Sequence, residues 1–89
     1  KRGIEFSITK EYAWNLFQEQ GGKCFYTQLE IVLNTRNNSM TASIDRIDSS
    51  KGYVEGNIVW VHKDVNIMKN VFDKEYFLTM CKKIVEVHC

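Results

Sequence analysis

The run SIDRIDSSKGYVEGN, residues 43–57, decides the fold of this chain. Alternating side chains over residues 41–47 predict a β-strand, and the turn-forming cluster at residues 48–52 ends it. A second strand is predicted for the short apolar run 57–61, and residues 63–70 repeat their apolar side chains at helical spacing. The expected order is therefore strand, loop, strand and helix.

Further elements are expected on both sides of this unit. Residues 10–20 have the pattern of a short amphipathic helix with Thr9 as its N-cap. Residues 23–33 are rich in aromatic and β-branched side chains, which predicts one or two strands before a polar loop at residues 34–39. Asp73 is expected to cap a last helix with one apolar face turned to the core. That face comprises Phe77, Met80, Cys81, Ile84 and Val85. The chain is thus predicted to be a small α+β protein.

Composition indicates one folded domain over residues 1–89. The chain is 44% hydrophobic and 12% aromatic, and no apolar stretch approaches the roughly 20 residues that span a bilayer. Cys24, Cys81 and Cys89 are an odd number without a C-x-x-C pair, so neither a disulfide framework nor a Cys-rich zinc site is predicted. Reduced thiols fit a cytoplasmic protein of bacterial or phage type, without a membrane partner. A net charge of +1 argues only weakly against a nucleic-acid partner.

Two polar residues of the central unit have the chemistry of a metal site. Asp45 supplies a carboxylate from the first strand, and Asn66 supplies an amide oxygen from the helix. Hard oxygen ligands of this kind suit Mg²⁺, which takes few protein ligands and keeps several waters. Taken alone, Asp45 is as readily an ordinary strand-end carboxylate paired with Arg46 or Lys69.

Residues 43–57, together with Asn66-Ile67-Met68-Lys69, resemble the signature of the HNH nucleases. In that family a strand ends in Asp-His, a glycine-containing loop leads to a central Asn, and a His or Asn followed three residues later by Lys opens the helix. The resemblance covers about residues 23–70 and implies a ββα-metal finger with flanking helices. It implies that Asp45 and Asn66 hold one divalent cation, Mg²⁺ or Mn²⁺, and that Asn57 braces the loop through backbone hydrogen bonds.

Arg46 takes the place of the family's His, which acts as the general base. Because Arg does not give up its proton near pH 7, we expect Arg46 to hold the scissile phosphate instead. The base is then expected to be His62, Tyr26 or water activated directly by the cation. Lys69 is expected to contact a DNA phosphate. Lys51 and Lys63 are further candidates for DNA contact.

In the same resemblance, Cys24 and His62 fall at positions where many family members carry zinc ligands. Thr27 and Val65 fill the other two positions, so no structural zinc is expected.

The function implied is a DNA endonuclease that leaves 5′-phosphate and 3′-hydroxyl ends, as in restriction, homing or phage nucleases. The alternatives are a DNA-binding module that has little or no catalysis, and a nuclease acting on RNA. The chain begins without Met and ends at His88-Cys89, so we expect a fragment of a longer protein with further DNA-binding segments. A homodimer is the alternative to such segments.

Overall fold

An antiparallel hairpin lies at the centre of the computed structural model, which describes residues 4–33 and 40–89. Its strands are β1 (Ala42–Arg46) and β2 (Ile58–His62). In the register of the pair, Asp45 lies opposite Val59. Because opposed residues share a face of the sheet and successive residues alternate, the hairpin has two distinct faces. One face carries Ser43, Asp45, Val59 and Val61, and the other carries Ala42, Ile44, Arg46, Ile58, Trp60 and His62.

The first helix, α1 (Lys10–Glu19), covers the Trp60 face of the hairpin. The Thr9 hydroxyl accepts the Tyr12 N–H at 3.0 Å, which confirms the predicted N-cap. The Trp60 indole N–H donates to the Ala13 carbonyl at 2.8 Å, and the Phe17 ring meets the indole edge-on at 5.5 Å. These contacts fix α1 against β2.

The side-chain amide of Gln20 hydrogen-bonds the backbone of Trp60 at the outer edge of β2. Its Oε1 accepts the Trp60 backbone N–H at 2.8 Å, and its Nε2 donates to the Trp60 carbonyl at 2.9 Å. The Phe25 N–H donates to the same carbonyl at 2.9 Å. An edge strand with unpaired backbone groups would otherwise invite pairing with another chain, so this amide closes the sheet at β2.

Helix α2 (Lys63–Lys69) follows β2 directly and packs on both strands, on the face that carries Asp45. Helix α3 (Lys74–His88) begins at Asp73, whose carboxylate accepts the Tyr76 N–H at 3.1 Å. The prediction for the core-facing side of α3 is largely wrong. Phe77 is buried, whereas Met80, Ile84 and Val85 are 40%, 59% and 55% exposed. Only the first turns of α3 therefore reach the core.

The loop between the strands is tied to the N-terminal segment. Tyr53 N donates to the Glu5 carbonyl at 2.7 Å, and Ser7 N donates to the Tyr53 carbonyl at 3.0 Å. A Cβ atom at Gly52 would overlap the backbone of Glu5. This close approach of two backbones explains the glycine at the end of the turn cluster.

The described residues form a small α+β fold with a two-stranded sheet and helices on both of its faces. The predicted strands in residues 23–33 are absent, because that segment makes turns and a single bridge between Lys23 and Glu30. Residues 34–39, predicted to be a loop, lie outside the described part. None of the helices described is long and apolar enough to cross a membrane.

Candidate functional site

Asp45 and Lys69 form a buried ion pair between β1 and the last turn of α2. Lys69 Nζ lies 3.2 Å from Oδ1 and 3.1 Å from Oδ2 of Asp45, and it also donates to the Arg46 carbonyl at 2.9 Å. Asp45 is 4% exposed and Lys69 is 1% exposed. Burial raises the pKa of the Asp45 carboxyl, and the hydrogen bond and charge of Lys69 offset only part of that rise.

This ion pair corrects the expectation for Lys69. A lysine that contacts a DNA phosphate must present its ammonium at the surface, whereas this ammonium is enclosed and bound to protein oxygens. The spacing of three residues between Asn66 and Lys69 does place both on the side of α2 that meets β1. What the sequence did not reveal is that this side faces the protein interior.

Asn66 lies one helical turn before Lys69 and faces the same strand. Its Nδ2 donates to the Ser43 hydroxyl at 2.8 Å. Ser43 and Asp45 are two residues apart on β1 and therefore share a face of the hairpin. The Asn66 amide and the Asp45 carboxylate thus both line the seam between β1 and α2. Ser43 was missed by sequence reasoning, although the alternation of the strand places it beside Asp45.

Asn57 braces the loop between the strands, as the resemblance implies. It is 7% exposed, and its Oδ1 accepts the Asp48 N–H at 3.0 Å. Its Nδ2 donates to the carbonyls of Asp48 at 3.1 Å and Gly52 at 2.9 Å. One amide side chain therefore satisfies three backbone groups of the loop that leaves β1 next to Asp45.

Arg46 points to the opposite face of the hairpin from Asp45, and the expectation that it holds the phosphate stays a prediction. Its Nη1 donates to the carbonyls of Ser49 at 2.9 Å and Lys51 at 3.0 Å. The guanidinium also lies 5.3 Å from the centre of the Tyr53 ring. Arg46 is therefore a structural clamp of the loop in this structure.

His62 also lies on the opposite face and serves as the N-cap of α2. Its Nδ1 accepts the backbone N–H of Asp64 at 3.1 Å. The structure gives His62 a capping function and does not bring it to Asp45 as a base.

Tyr26 packs beside the site, where its ring meets Phe77 edge-on at 5.5 Å. Burial, together with the negative charges of Asp45 and Cys24, raises the pKa of its phenol well above the usual value. The phenol therefore keeps its proton at neutral pH. The phenol is therefore a hydrogen-bond donor here, and the expectation that Tyr26 acts as a base or nucleophile stays a prediction.

The remaining candidates lie at the surface or in the core. The side chains of Lys51 and Lys63 are exposed, as a contact to DNA requires. Cys24 is fully buried, and its sulfur accepts the Thr27 N–H at 3.4 Å. Within residues 4–33 and 40–89, His, Cys, Asp and Glu side chains form no group of three or more with metal-binding spacing. The Asp45 and Asn66 pair contains only one such side chain, so this finding does not bear on it.

Comparison with known proteins finds a viral relative of this chain. An uncharacterized protein of Acanthamoeba polyphaga mimivirus is 33% identical over 84 residues, which are 94% of this chain. The chain spans 14% of the length of that viral protein. No family model matches the chain, and no solved structure matches it. The resemblance to HNH nucleases therefore rests on the residues of the motif.

Proposed function

We propose that this domain is a metal-dependent DNA endonuclease of the ββα-metal type, with Asp45 and Asn66 as ligands of one divalent cation. The observation that carries the proposal is the buried Asp45 carboxylate, which shares the β1–α2 seam with the Asn66 amide. The order β1, β2, α2 agrees with the strand, strand and helix of such a finger. These two strands and the helix lie within residues 23–70, the range over which the chain resembles the HNH nucleases.

The donor atoms at this seam fit Mg²⁺ or Mn²⁺. A carboxylate and an amide carbonyl are hard oxygen ligands, and sites with few protein ligands leave room for waters and a substrate phosphate. Asp45 Oδ2 is buried and contacts the Lys69 ammonium at 3.1 Å, so a cation that displaces this ammonium gains a carboxylate oxygen as ligand. Asn66 Nδ2 is committed to Ser43, and that hydrogen bond fixes the rotation of the amide.

The positive charge of Lys69 lowers the affinity of this site for a cation. Its ammonium already gives Asp45 a positive partner, so a divalent cation must compete with it for the same carboxylate. Two like charges within a few ångströms repel strongly in a buried site. We therefore expect weak cation affinity in free protein, and a stronger affinity when DNA phosphates add negative charge.

The cation, when bound, would supply electrostatic stabilisation of the phosphate and leaving oxygen and would lower the pKa of a nearby water. Asp45 and Asn66 would hold it, and Asn57 would hold the loop that leaves β1 in its shape. The exposed Lys51 and Lys63 would contact backbone phosphates. The products expected from the family are 5′-phosphate and 3′-hydroxyl ends.

A second candidate is a DNA-binding module with little or no catalysis. It is favoured by the Asp45–Lys69 ion pair, which neutralises the carboxylate without a metal. It is also favoured by Arg46 and His62, which lie on the far face of the hairpin. In this alternative the fold keeps its DNA surface, and Asp45 serves only as the partner of Lys69.

A plasmid-nicking assay with Mg²⁺ or Mn²⁺ separates the two functions. The nuclease proposal predicts cation-dependent nicking by the wild type and by Asp64→Asn, and loss of nicking in Asp45→Asn. Asp64 is the matched control because it is a solvent-exposed carboxylate on α2. Nicking that persists in Asp45→Asn contradicts the proposed site. DNA binding without nicking by any of the three proteins supports the module, and a parallel RNA substrate tests the remaining alternative.

A further inference from the structure

Two buried polar atoms in the described part of the chain make no hydrogen bond, and both lie at the candidate site. They are the Tyr26 hydroxyl oxygen and Asp45 Oδ2. Lys69 Nζ donates to Oδ1 at 3.2 Å and lies 3.1 Å from Oδ2 as an ion-pair contact. Among the described residues, the Tyr26 hydroxyl thus has no polar partner, and Asp45 Oδ2 has the Lys69 ammonium beside it but accepts no hydrogen bond.

Such unsatisfied groups are uncommon, and each requires an explanation. A buried donor or acceptor without a partner is destabilising, and most are satisfied by protein or by ordered water. A buried water is stable where two to four polar groups surround it. The Tyr26 hydroxyl, Asp45 Oδ2 and Lys69 Nζ offer one donor, one acceptor and one further donor. The set matches what a single water needs.

We propose that Tyr26 is a positioning residue of the cation site, whose hydroxyl donates to one water that in turn donates to Asp45 Oδ2. This inference rests on the proposed function. Carboxylates that bind metals are themselves held by outer hydrogen bonds, and loss of such a partner costs about 10- to 100-fold in metal affinity. The Tyr26 ring is fixed against Phe77 and Phe25, with centroids at 5.5 Å and 5.0 Å, so the hydroxyl has a defined position.

The test is the Mn²⁺ affinity of DNA-free protein, measured by isothermal titration calorimetry. Tyr26→Phe removes one oxygen and keeps the ring in place. We expect its Mn²⁺ affinity to fall about 10-fold or more relative to the wild type. Tyr76→Phe is the matched control, because Tyr76 is 48% exposed and packs on Phe72. Its affinity should equal that of the wild type.

Failure of the inference is distinguishable from failure of the proposed function. If the wild type binds Mn²⁺ and Tyr26→Phe binds it equally well, the inference is overturned while the cation site survives. If the wild type binds no Mn²⁺ either alone or in the presence of a DNA duplex, the proposed cation site fails and the inference fails with it.

A second measurement needs no variant and covers the case in which Tyr26→Phe does not fold. Equimolar Mn²⁺ should broaden the Tyr26 ring resonances of the wild type more strongly than those of Tyr76, because paramagnetic relaxation falls steeply with distance from the ion. Sharp Tyr26 resonances in the presence of bound Mn²⁺ would overturn the inference.

Discussion

The Lys69 ammonium lies 3.2 Å and 3.1 Å from the two carboxylate oxygens of Asp45, and both side chains are almost completely buried. A lysine from the last turn of α2 thus neutralises a carboxylate near the end of β1. The pair links α2 to β1 in the part of the molecule where we place the cation. It therefore connects the stability of the fold to the proposed chemistry.

Lys69→Met should destabilise the domain by about 3 kcal/mol, because it leaves the Asp45 carboxylate buried without a partner. Asp45→Asn in the Lys69→Met background should recover most of this loss, since the uncompensated charge is then gone. Urea unfolding of the four proteins measures the coupling. Lys63→Met, at an exposed lysine of the same helix, is the control and should change stability by less than about 0.5 kcal/mol. Strictly additive effects of the two changes would contradict a direct ion pair.

Asn57→Ala should lower the free energy of unfolding by about 2 to 3 kcal/mol, because one amide serves three backbone groups of the loop. Thermal unfolding followed by circular dichroism gives the measurement. Asn15→Ala, at an exposed position of α1, provides the comparison and should leave the midpoint nearly unchanged. An equal effect at both positions would show that Asn57 does not brace the loop.

His62→Asn should keep both the fold and any cleavage activity. Asn is among the best N-cap residues, so it can replace the imidazole as acceptor for the Asp64 N–H. His62→Ala, which has no acceptor, should cost about 1 kcal/mol of stability without changing the chemistry. Nicking rates and urea midpoints of both variants test this. A loss of about 100-fold or more in the rate of a folded His62→Asn would restore His62 as the general base.

Gln20→Ala should destabilise the domain by about 2 kcal/mol, because it unpairs the Trp60 N–H on the edge of β2. Gln18→Ala, two residues earlier at an exposed position, should be close to neutral. The comparison uses chemical denaturation of both variants. The exposed edge should also make Gln20→Ala more prone to self-association, which light scattering detects. Equal stability of the two variants would rule out the amide as an edge cap.

The hairpin and the helix after it were predictable from the sequence because their signals are local. Alternation over residues 41–47, the turn cluster and the apolar run before His62 define β1 and β2 within one or two residues. The Thr9 and Asp73 caps are likewise local, since each side chain bonds its own helix. The strands predicted for residues 23–33 are wrong because aromatic and β-branched side chains can also pack against the core from a segment of turns. Composition alone does not determine the backbone conformation there.

The candidate site was predictable in its residues and only partly in its geometry. Spacing placed Asp45 and Asn66 on facing elements, and both do line the β1–α2 seam. Strand alternation places Arg46 on the face opposite Asp45, and the register of the hairpin places His62 on the same face as Arg46. The burial of Lys69 depends on how deeply α2 packs on the sheet, which is a tertiary property that a seven-residue helix does not encode by itself.

A crystal soaked with Mn²⁺ shows whether Asp45 and Asn66 share one divalent cation. We expect one peak of anomalous scattering about 2 Å from an Asp45 carboxylate oxygen and from Asn66 Oδ1, with the Lys69 ammonium displaced from its present contact. An Asp45–Lys69 ion pair that stays intact at saturating Mn²⁺, with no peak between β1 and α2, would contradict it.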